Sequence, residues 1–346
     1  MPEGRIDAAV AALDEAAVPD GLTYVSDRMP GIARRRAGKG FAYRGPGGRA
    51  IGARDRDRIR ALAIPPAWRD VWICPVANGH LQATGIDGKG RKQYRYHADW
   101  SGWRAWTKYD QLAAFGMALG RLRRAIDRDL GQGAGDRAFA IGAILLLIDR
   151  AMLRVGTEAY AAENRTFGAT TLLRRHLSVT DRGVRLAFRA KGGKAVRQVL
   201  GDRRLNRILT AIADLPGRRL FTWLDAEGTP RAVTSQDVNA RIAEATGLPG
   251  ATAKTFRTWG GTLAAFEAAL AAEGRLTARA LAEAASDRLA NTPAIARASY
   301  IHPRVLALAE VEPADRAALL AALTPAEAPG LRGAEGRLLT FLADAA

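Results

Sequence analysis

The chain has 346 residues, 48% of them hydrophobic, so it is long enough for two domains and too apolar for a disordered protein. It carries 52 Lys and Arg against 35 Asp and Glu, a formal net charge of +17, which indicates a polyanionic partner such as nucleic acid. The longest apolar run, residues 141–148, is too short for a membrane helix, and residues 1–17 lack the apolar centre of a signal peptide.

The position of the charge and the cysteine content add two limits. Residues 301–346 hold four Arg and six acidic residues, a net −2, so the preceding residues carry the remaining +19. The single cysteine, Cys74, excludes an internal disulfide and fits a reducing compartment. We therefore expect a cytoplasmic protein associated with the nucleoid, whose first 300 residues contact the anionic partner.

Residues 20–97 have the pattern of a β-rich unit. Short β-prone runs separated by Gly, Pro and Asp predict strands at residues 22–25, 41–43, 71–74, 80–84 and 93–97. Residues 54–63 predict one short helix, which Pro65 and Pro66 end.

The last of these strands has two interpretations. In one, Gln93 reads adenine in the major groove of DNA and the Tyr94 hydroxyl binds phosphate. In the other, it is an ordinary alternating strand, in which Gln93 and Arg95 face solvent while Tyr94 and Tyr96 pack inward. The sequence favours neither.

From residue 112 the hydrophobic pattern becomes helical. Helices are predicted at residues 112–130 and 138–153, the second so apolar that it must be mostly buried. Residues 178–199 predict a β-hairpin that turns at Lys191–Lys194, and helices follow to the end. The predicted fold class is α+β in two lobes: a small β-rich N-terminal domain, residues 1–100, and a larger, mainly helical domain with a small β-hairpin or sheet, residues 101–346.

Two basic residues in the second domain have both a structural and a functional interpretation. Arg154 ends the apolar helix, where it can satisfy helix carbonyls or pair with Glu158. Lys191 at the hairpin tip can be a solvated turn residue. However, nine Lys and Arg and one acid lie between residues 182 and 207, which favours contact with phosphate.

Lys254 and Arg257 lie three residues apart, so they share one face of a helix. The aromatic neighbours Phe256 and Trp259 place Arg257 close to packed structure. Arg257 is then either a structural arginine paired with a carboxylate or carbonyl, or a planar fork that holds a phosphate.

A helix start is predicted at residues 291–293, with Thr292 as the N-cap and Pro293 as the first helical residue. Asn291 would then lie near a helix N-terminus, where anions are favoured. Tyr300, nine residues after Asn291, taken alone reads as half-buried packing.

Taken together, these residues resemble the catalytic set of the poxvirus-like, or bacterial, type IB DNA topoisomerases. The Arg–Lys–Arg–His/Asn–Tyr set of that family is matched in order and approximate spacing by Arg154, Lys191, Arg257, Asn291 and Tyr300. The family also has similar residues at four further places in this chain: Tyr160, residues 164–171, His176 and residues 299–303. Residues 21–25, 64–68, 71–75 and 90–97 independently resemble the clamp domain of the bacterial enzymes, so the resemblance covers roughly residues 20–305.

Three departures stand out. The viral members have His in place of Asn291, an aspartate is common where Thr255 stands, and the interval from Arg257 to Asn291 is short. The first implies that a neutral amide donor suffices. The last puts local helix lengths in doubt and leaves the chemistry intact.

The resemblance implies that Tyr300 attacks a backbone phosphorus to form a 3′-phosphotyrosyl link, while Arg154, Arg257 and Asn291 hold the phosphate oxygens. It implies Lys191 as the general acid, assisted by Lys254. The expected DNA contacts are Gln93, Tyr94, Tyr96, Tyr160 and Lys194. The expected partner is double-stranded DNA, clamped by a monomer.

No cofactor or metal is expected. The chain has no P-loop motif, and its four His and one Cys have no zinc-ligand spacing. Two alternatives remain. A tyrosine recombinase uses a similar catalytic set, but the N-terminal resemblance argues against it. A non-catalytic DNA-clamping protein would share the charge without needing the Arg–Lys–Arg–Asn–Tyr spacing.

Overall fold

The structure is a computed structural model that describes residues 18–180 and 183–343, so the prediction for residues 1–17 falls outside it. Contacts divide the chain into two units between Tyr109 and Asp110, inside the long helix α2 (Ala98–Asp129). The first unit is β-rich and the second mainly helical, which confirms the predicted α+β class. In the described part of the chain, no helix is both long enough and apolar enough to cross a membrane.

The first unit is built on a five-stranded antiparallel sheet. Its strands are β1 (Ile32–Ala37), β2 (Gly40–Arg44), β3 (Arg69–Ile73), β4 (Leu81–Ile86) and β5 (Lys92–Tyr96), in the order β2-β1-β3-β4-β5. Helix α1 (Ala53–Ala61) packs its single buried residue, Ile59, into an apolar cluster with Ile32, Val71 and Ile73. This cluster and a second one, formed by Val25, Cys74 and Leu81, hold the unit together.

One strand of the first unit was missed and one strand prediction is wrong. β1 was not predicted, because three consecutive arginines, residues 34–36, hide the alternation that Ile32 begins. Residues 22–25 form only an isolated bridge, between Thr23 and Gly79. The strand pairing of β1 with β2 and β3 therefore overrides its local composition.

The second unit contains α3 to α12 after α2. These helices are α3 (Arg137–Ala151), α4 (Glu158–Asn164), α5 (Arg203–Ala213), α6 (Ser235–Thr246), α7 (Ala253–Ala271), α8 (Ala278–Leu289), α9 (Pro293–Tyr300), α10 (Pro303–Ala307), α11 (Pro313–Ala321) and α12 (Glu335–Ala343). Helix α3 is central: every residue from Phe139 to Ala151 except Arg150 is buried, as its apolar sequence predicts.

Small sheets flank these helices. The predicted hairpin is part of a three-stranded antiparallel sheet, β6 (Leu177–Thr180), β7 (Gly183–Arg189) and β8 (Ala195–Leu200). A short pair, β9 (Thr222–Leu224) and β10 (Pro230–Ala232), lies further along the chain. The turn between β7 and β8 carries Lys191 at its tip, as predicted. The other candidate residues lie in the loop after α3, on α7, and on or just before α9.

Candidate active site

Arg257 is the buried centre of the candidate site. It lies in the second turn of α7 with 3% of its surface exposed. Its Nη1 donates to the main-chain oxygen of Met152, and its Nη2 donates to that of Leu289 at 3.0 Å. These carbonyls end α3 and α8, where unpaired oxygens favour a cation. One guanidinium thus joins the ends of two helices. Of its nitrogens, Nε has no partner among the described residues.

Two adjacent glycines let α7 approach its neighbours. A Cβ on Gly260 would come within 2.5 Å of the Met152 sulfur, and one on Gly261 within 2.7 Å of the main-chain oxygen of Tyr300. Glycine inside a helix costs roughly 1 kcal/mol relative to alanine. The close packing of α7 against both partners accounts for its presence here.

Tyr300 is the last residue of α9 and is half-buried. Thr292 caps this helix, its hydroxyl accepting from the main-chain nitrogen of Ile295 at 3.3 Å, which confirms the predicted helix start. The guanidinium carbon of Arg257 lies 5.0 Å from the centroid of the Tyr300 ring. Helix α9 therefore delivers its C-terminal tyrosine to the buried arginine.

The surrounding charges favour the phenolate form of Tyr300. Burial alone would raise the pKa of Tyr300, but the charge and hydrogen bond of Arg257 and the charges of Arg154 and Lys254 outweigh it, so the pKa is lowered. Burial, followed by the charge of Arg154, lowers the pKa of Arg257 to about 10, while Tyr300 acts in the opposite direction. Arg257 stays charged at neutral pH, and three cations act on one tyrosine.

Arg154 reaches the site from the loop after α3. Its main-chain oxygen accepts from the nitrogen of Ala169 at 2.8 Å. Gly156, at φ 85°, packs against Gly168 so closely that a Cβ on Gly168 would lie 2.6 Å from the Arg154 oxygen. Residues 164–171, the stretch that resembles the family sequence, therefore pack against this loop and fix its backbone. The half-buried side chain of Arg154 projects from that fixed backbone.

Lys254 lies one turn before Arg257 on α7 and is exposed. The predicted helical placement of the pair is therefore confirmed. Thr252 begins the helix, its main-chain nitrogen donating to the hydroxyl of Thr255 at 3.0 Å. Thr255 thus serves as a helix-start residue where the family often has an aspartate.

Asn291 presents a buried amide with nothing to bind. Only 5% of the residue is exposed, and neither side-chain atom has a hydrogen-bond partner in the described part of the chain. Its main-chain oxygen, in contrast, accepts from Ser286 Oγ at 2.9 Å and from Lys194 Nζ at 2.7 Å. Burying an unpaired amide is unfavourable, so the Asn291 side chain is suited to a ligand that supplies the missing partners.

Lys191 stands apart from this group. It lies exposed in the turn Lys191–Gly193, where Gly192 takes a φ of 78°, and its Nζ is 5.4 Å from the Tyr160 ring centroid. Among the described residues, the charges that lower the pKa of Tyr300 are those of Arg257, Arg154 and Lys254. The structure brings Arg154, Lys254, Arg257 and Tyr300 together and places Asn291 two residues after the Leu289 carbonyl that holds Arg257. It places Lys191 with Tyr160.

The predicted contacts in the first unit lie on β5. Tyr94 and Tyr96 are 48% and 45% exposed and their rings stack with centroids 6.1 Å apart, so the interpretation in which they pack inward is wrong. Gln93 is half-buried and its Nε2 donates to Asp87 at 3.0 Å. Both tyrosines are thus accessible, whereas the Gln93 amide already has a partner.

A basic cleft of about 880 Å³ borders the β7–β8 sheet in the second unit. Six arginines line it: Arg165, Arg175, Arg189, Arg197, Arg218 and Arg219. Glu158 pairs with Arg219 and so offsets one of the six. Sequence reasoning did not find this cleft, because its arginines come from four separate segments. The Gly260–Gly261 pair inside α7 is a sequence sign of close packing that sequence reasoning also missed.

Comparison with known proteins identifies the two units separately. The family described as the N-terminal domain of bacterial DNA topoisomerase IB matches residues 40–87, and that described as the catalytic core of eukaryotic DNA topoisomerase I matches residues 97–296. The chain belongs to the type IB DNA topoisomerases. DNA topoisomerase 1B of Acanthamoeba polyphaga mimivirus is 29% identical over 301 residues, which cover 82% of this chain and 89% of that protein.

Family membership confirms the predicted enzyme class, with DNA as its substrate, over the recombinase and the non-catalytic clamp. The match to the type IB core ends at residue 296, four residues before Tyr300. The roles of the individual site residues are therefore proposals, which rest on the geometry above.

Proposed function

We propose that this topoisomerase relaxes supercoiled DNA by a reversible single-strand cut, in which Tyr300 is joined to the 3′-phosphate, without ATP or metal. One observation carries the proposal: the buried Arg257 faces Tyr300, and its charge, with those of Arg154 and Lys254, lowers the pKa of that tyrosine. A half-buried tyrosine in ordinary packing would have its pKa raised by burial.

The reaction balances without a cofactor. Tyr300 loses its phenol proton, its oxygen attacks phosphorus and forms a new P–O bond, the P–O5′ bond breaks, and the 5′-oxygen takes up a proton. One phosphodiester replaces another, so the energy of the broken bond is kept for resealing. While the strand is open, rotation releases supercoils, and the 5′-hydroxyl then attacks the phosphotyrosine in the reverse step.

Stabilisation of the negative charge that develops on the phosphate is assigned to three residues. Arg154 and Arg257 hold the non-bridging oxygens as negative charge develops, and the unpaired amide of Asn291 adds a neutral donor. Preorganised donors of this type commonly lower a barrier by about 3–4 kcal/mol each. Arg257 is especially well fixed, because two helix-end carbonyls set its orientation before DNA arrives.

Lys191 is assigned as the acid that protonates the 5′-oxygen, with Lys254 assisting proton transfer. The contact of Lys191 with Tyr160 supports a role that begins when DNA enters: a phosphate beside Tyr160 would attract the lysine from the ring. The exposed position of the hairpin tip is compatible with such a movement.

DNA binding is assigned to both units. In the second, the arginine cleft, Tyr160 and Lys194 would contact phosphates. In the first, Tyr94 and Tyr96 offer exposed rings and hydroxyls, and Gln93 would have to leave Asp87 to read a base. The net charge of +17 supports extensive backbone contact. We propose that a monomer clamps the duplex with both units, in the cytoplasm on the nucleoid.

The test is relaxation of positively and negatively supercoiled plasmid with EDTA present and ATP absent, comparing the natural protein with Tyr300→Phe. Relaxation of both substrates by the natural protein, and none by the variant, is expected. A denatured reaction on end-labelled DNA should leave protein bound to the 3′ end of the cut strand and a free 5′-hydroxyl on the other end. Relaxation by Tyr300→Phe, a 5′ linkage or a requirement for metal would overturn the proposal.

A further inference from the structure

The backbone around Tyr300 changes direction between two helices. Helix α9 ends at Tyr300 and α10 begins at Pro303, with His302 as its N-cap. Residues at such helix ends have main-chain groups that no turn of the helix satisfies. The position of the tyrosine therefore depends on what holds this junction.

A single hydroxyl from α7 spans the junction. Thr262 is fully buried, and its Oγ1 donates to the main-chain oxygen of Tyr300 at 3.3 Å while accepting from the main-chain nitrogen of His302 at 3.1 Å. A hydroxyl can donate and accept at the same time. It thus links the residue at the end of α9 to the cap of α10.

The neighbouring residue reinforces this contact. Gly261 faces Tyr300 so closely that a Cβ would lie 2.7 Å from the Tyr300 oxygen and 3.1 Å from its Cβ. Helix α7 therefore touches the tyrosine main chain directly, and the same helix carries Arg257. One rigid element holds both the residue that faces the ring and the hydroxyl that fixes the backbone.

We propose that Thr262 is a positioning residue for cleavage, which fixes the Tyr300 backbone so that the phenol oxygen stays in line with the phosphorus held by Arg257. The inference rests on the proposed function, because it takes Tyr300 as the nucleophile. Small displacements of a nucleophile cost rate steeply, about 100-fold for roughly 1 Å. A hydroxyl that binds no DNA can therefore control the chemical step.

The test compares three threonine variants on DNA in single-turnover cleavage. Thr262→Val keeps the shape and removes the hydroxyl, Thr262→Ser keeps the hydroxyl, and Thr258→Val is the matched control. Thr258 is also buried on α7, but among the described residues its hydroxyl donates to the Lys254 oxygen of its own helix, at 3.2 Å. We expect Thr262→Val to cleave about ten- to 100-fold slower, with Thr262→Ser and Thr258→Val close to the natural rate and noncovalent DNA affinity unchanged in all three.

A second variant, Gly261→Ala, also acts on the main-chain oxygen of Tyr300. Gly261→Ala removes no hydrogen bond but presses on the Tyr300 oxygen, so it should slow cleavage as Thr262→Val does, and it serves if that variant does not fold. Natural cleavage rates in folded Thr262→Val or Gly261→Ala, or an equal loss in Thr258→Val, would overturn the positioning role. Tyr300→Phe separates the two hypotheses: if it still cleaves, the nucleophile assignment fails, whereas an inactive Tyr300→Phe beside a fully active Thr262→Val refutes only Thr262.

Discussion

The guanidinium carbon of Arg257 lies 5.0 Å from the centroid of the Tyr300 ring, in the interior of the second unit. A cation in this position favours the deprotonated tyrosine, and Arg257 itself is held by the carbonyls of Met152 and Leu289 rather than by a carboxylate. No acid neutralises it in these contacts, so its charge remains available to Tyr300 and to an incoming phosphate.

Arg257→Lys should lower single-turnover cleavage by about 100-fold or more, although it preserves the charge. One ammonium cannot reproduce the planar fork that reaches both the Met152 and Leu289 oxygens and still faces Tyr300. Arg279→Lys is the control, because Arg279 is exposed on α8 and, among the described residues, its ion pair is with Glu283. Equal rates for Arg257→Lys and the natural protein would show that charge alone suffices.

The rate of cleavage should increase with pH and reach a plateau at a pH below about 10, which is the ordinary pKa of a tyrosine side chain. The phenolate is the reactive form, and the pKa of Tyr300 is lowered by Arg257, Arg154 and Lys254 against the effect of burial. Lys254→Met removes one of these charges, so the rising limb should move to higher pH by less than about one unit. Arg297→Met, an exposed position on α9, should leave the profile in place. A shift to lower pH in Lys254→Met would contradict the assigned electrostatics.

Asn291→Leu should separate stability from activity. The amide is buried without a partner, so an apolar side chain of similar size should leave the free energy of unfolding unchanged or raise it by about 1 kcal/mol. Cleavage should fall by about tenfold or more, because the donor to the phosphate is lost.

Asn239→Leu is the matched control for that experiment. The Asn239 Oδ1 accepts from the Ala253 nitrogen at 3.1 Å, at the start of α7, so its loss should destabilise the fold. Urea unfolding measures both variants. A clear destabilisation by Asn291→Leu would mean that the amide is satisfied within the folded protein.

The Lys191→Ala variant should cleave ordinary DNA slowly. Its cleavage rate should recover when the 5′-oxygen is replaced by sulfur, because sulfur is a leaving group that needs no proton. Lys194→Ala, on the same hairpin, provides the comparison. Its Nζ donates to the Asn291 oxygen, so any defect it causes should persist with the sulfur substrate. If sulfur fails to rescue Lys191→Ala, the general acid is another group.

Glu335→Gln should destabilise the protein by about 3 kcal/mol. Glu335 on α12 pairs with Arg123 at 2.7 Å, and Arg123 pairs with Asp149 at 2.9 Å; all three side chains are buried. Removing one carboxylate charge leaves this buried network unbalanced. Glu283→Gln, in an exposed pair with Arg279, should change stability by less than about 0.5 kcal/mol in the same urea titration. Similar effects of the two variants would show that α12 adds little to the core.

The fold class, the enzyme family and most of the local structure at the site follow from the amino-acid sequence alone. Helical periodicity predicts α3, the Thr292–Pro293 pair predicts the start of α9, and the spacing of Lys254 and Arg257 predicts their shared helix, because these features depend on neighbours within a few residues. The arginine-rich β1 shows the limit of such patterns, since pairing with two other strands overrides its composition.

Only the tertiary structure decided which residues act on one another. Arg257 finds its carbonyls 105 and 32 residues away in sequence, and Thr262 meets Tyr300 across 38 residues. No local pattern encodes these contacts, because they arise where the ends of three helices meet. Arg257 needs no carboxylate, because helix-end carbonyls hold it. The side chain of Asn291 is left without a partner among the described residues, and Lys191 lies with Tyr160 because it is on a separate hairpin.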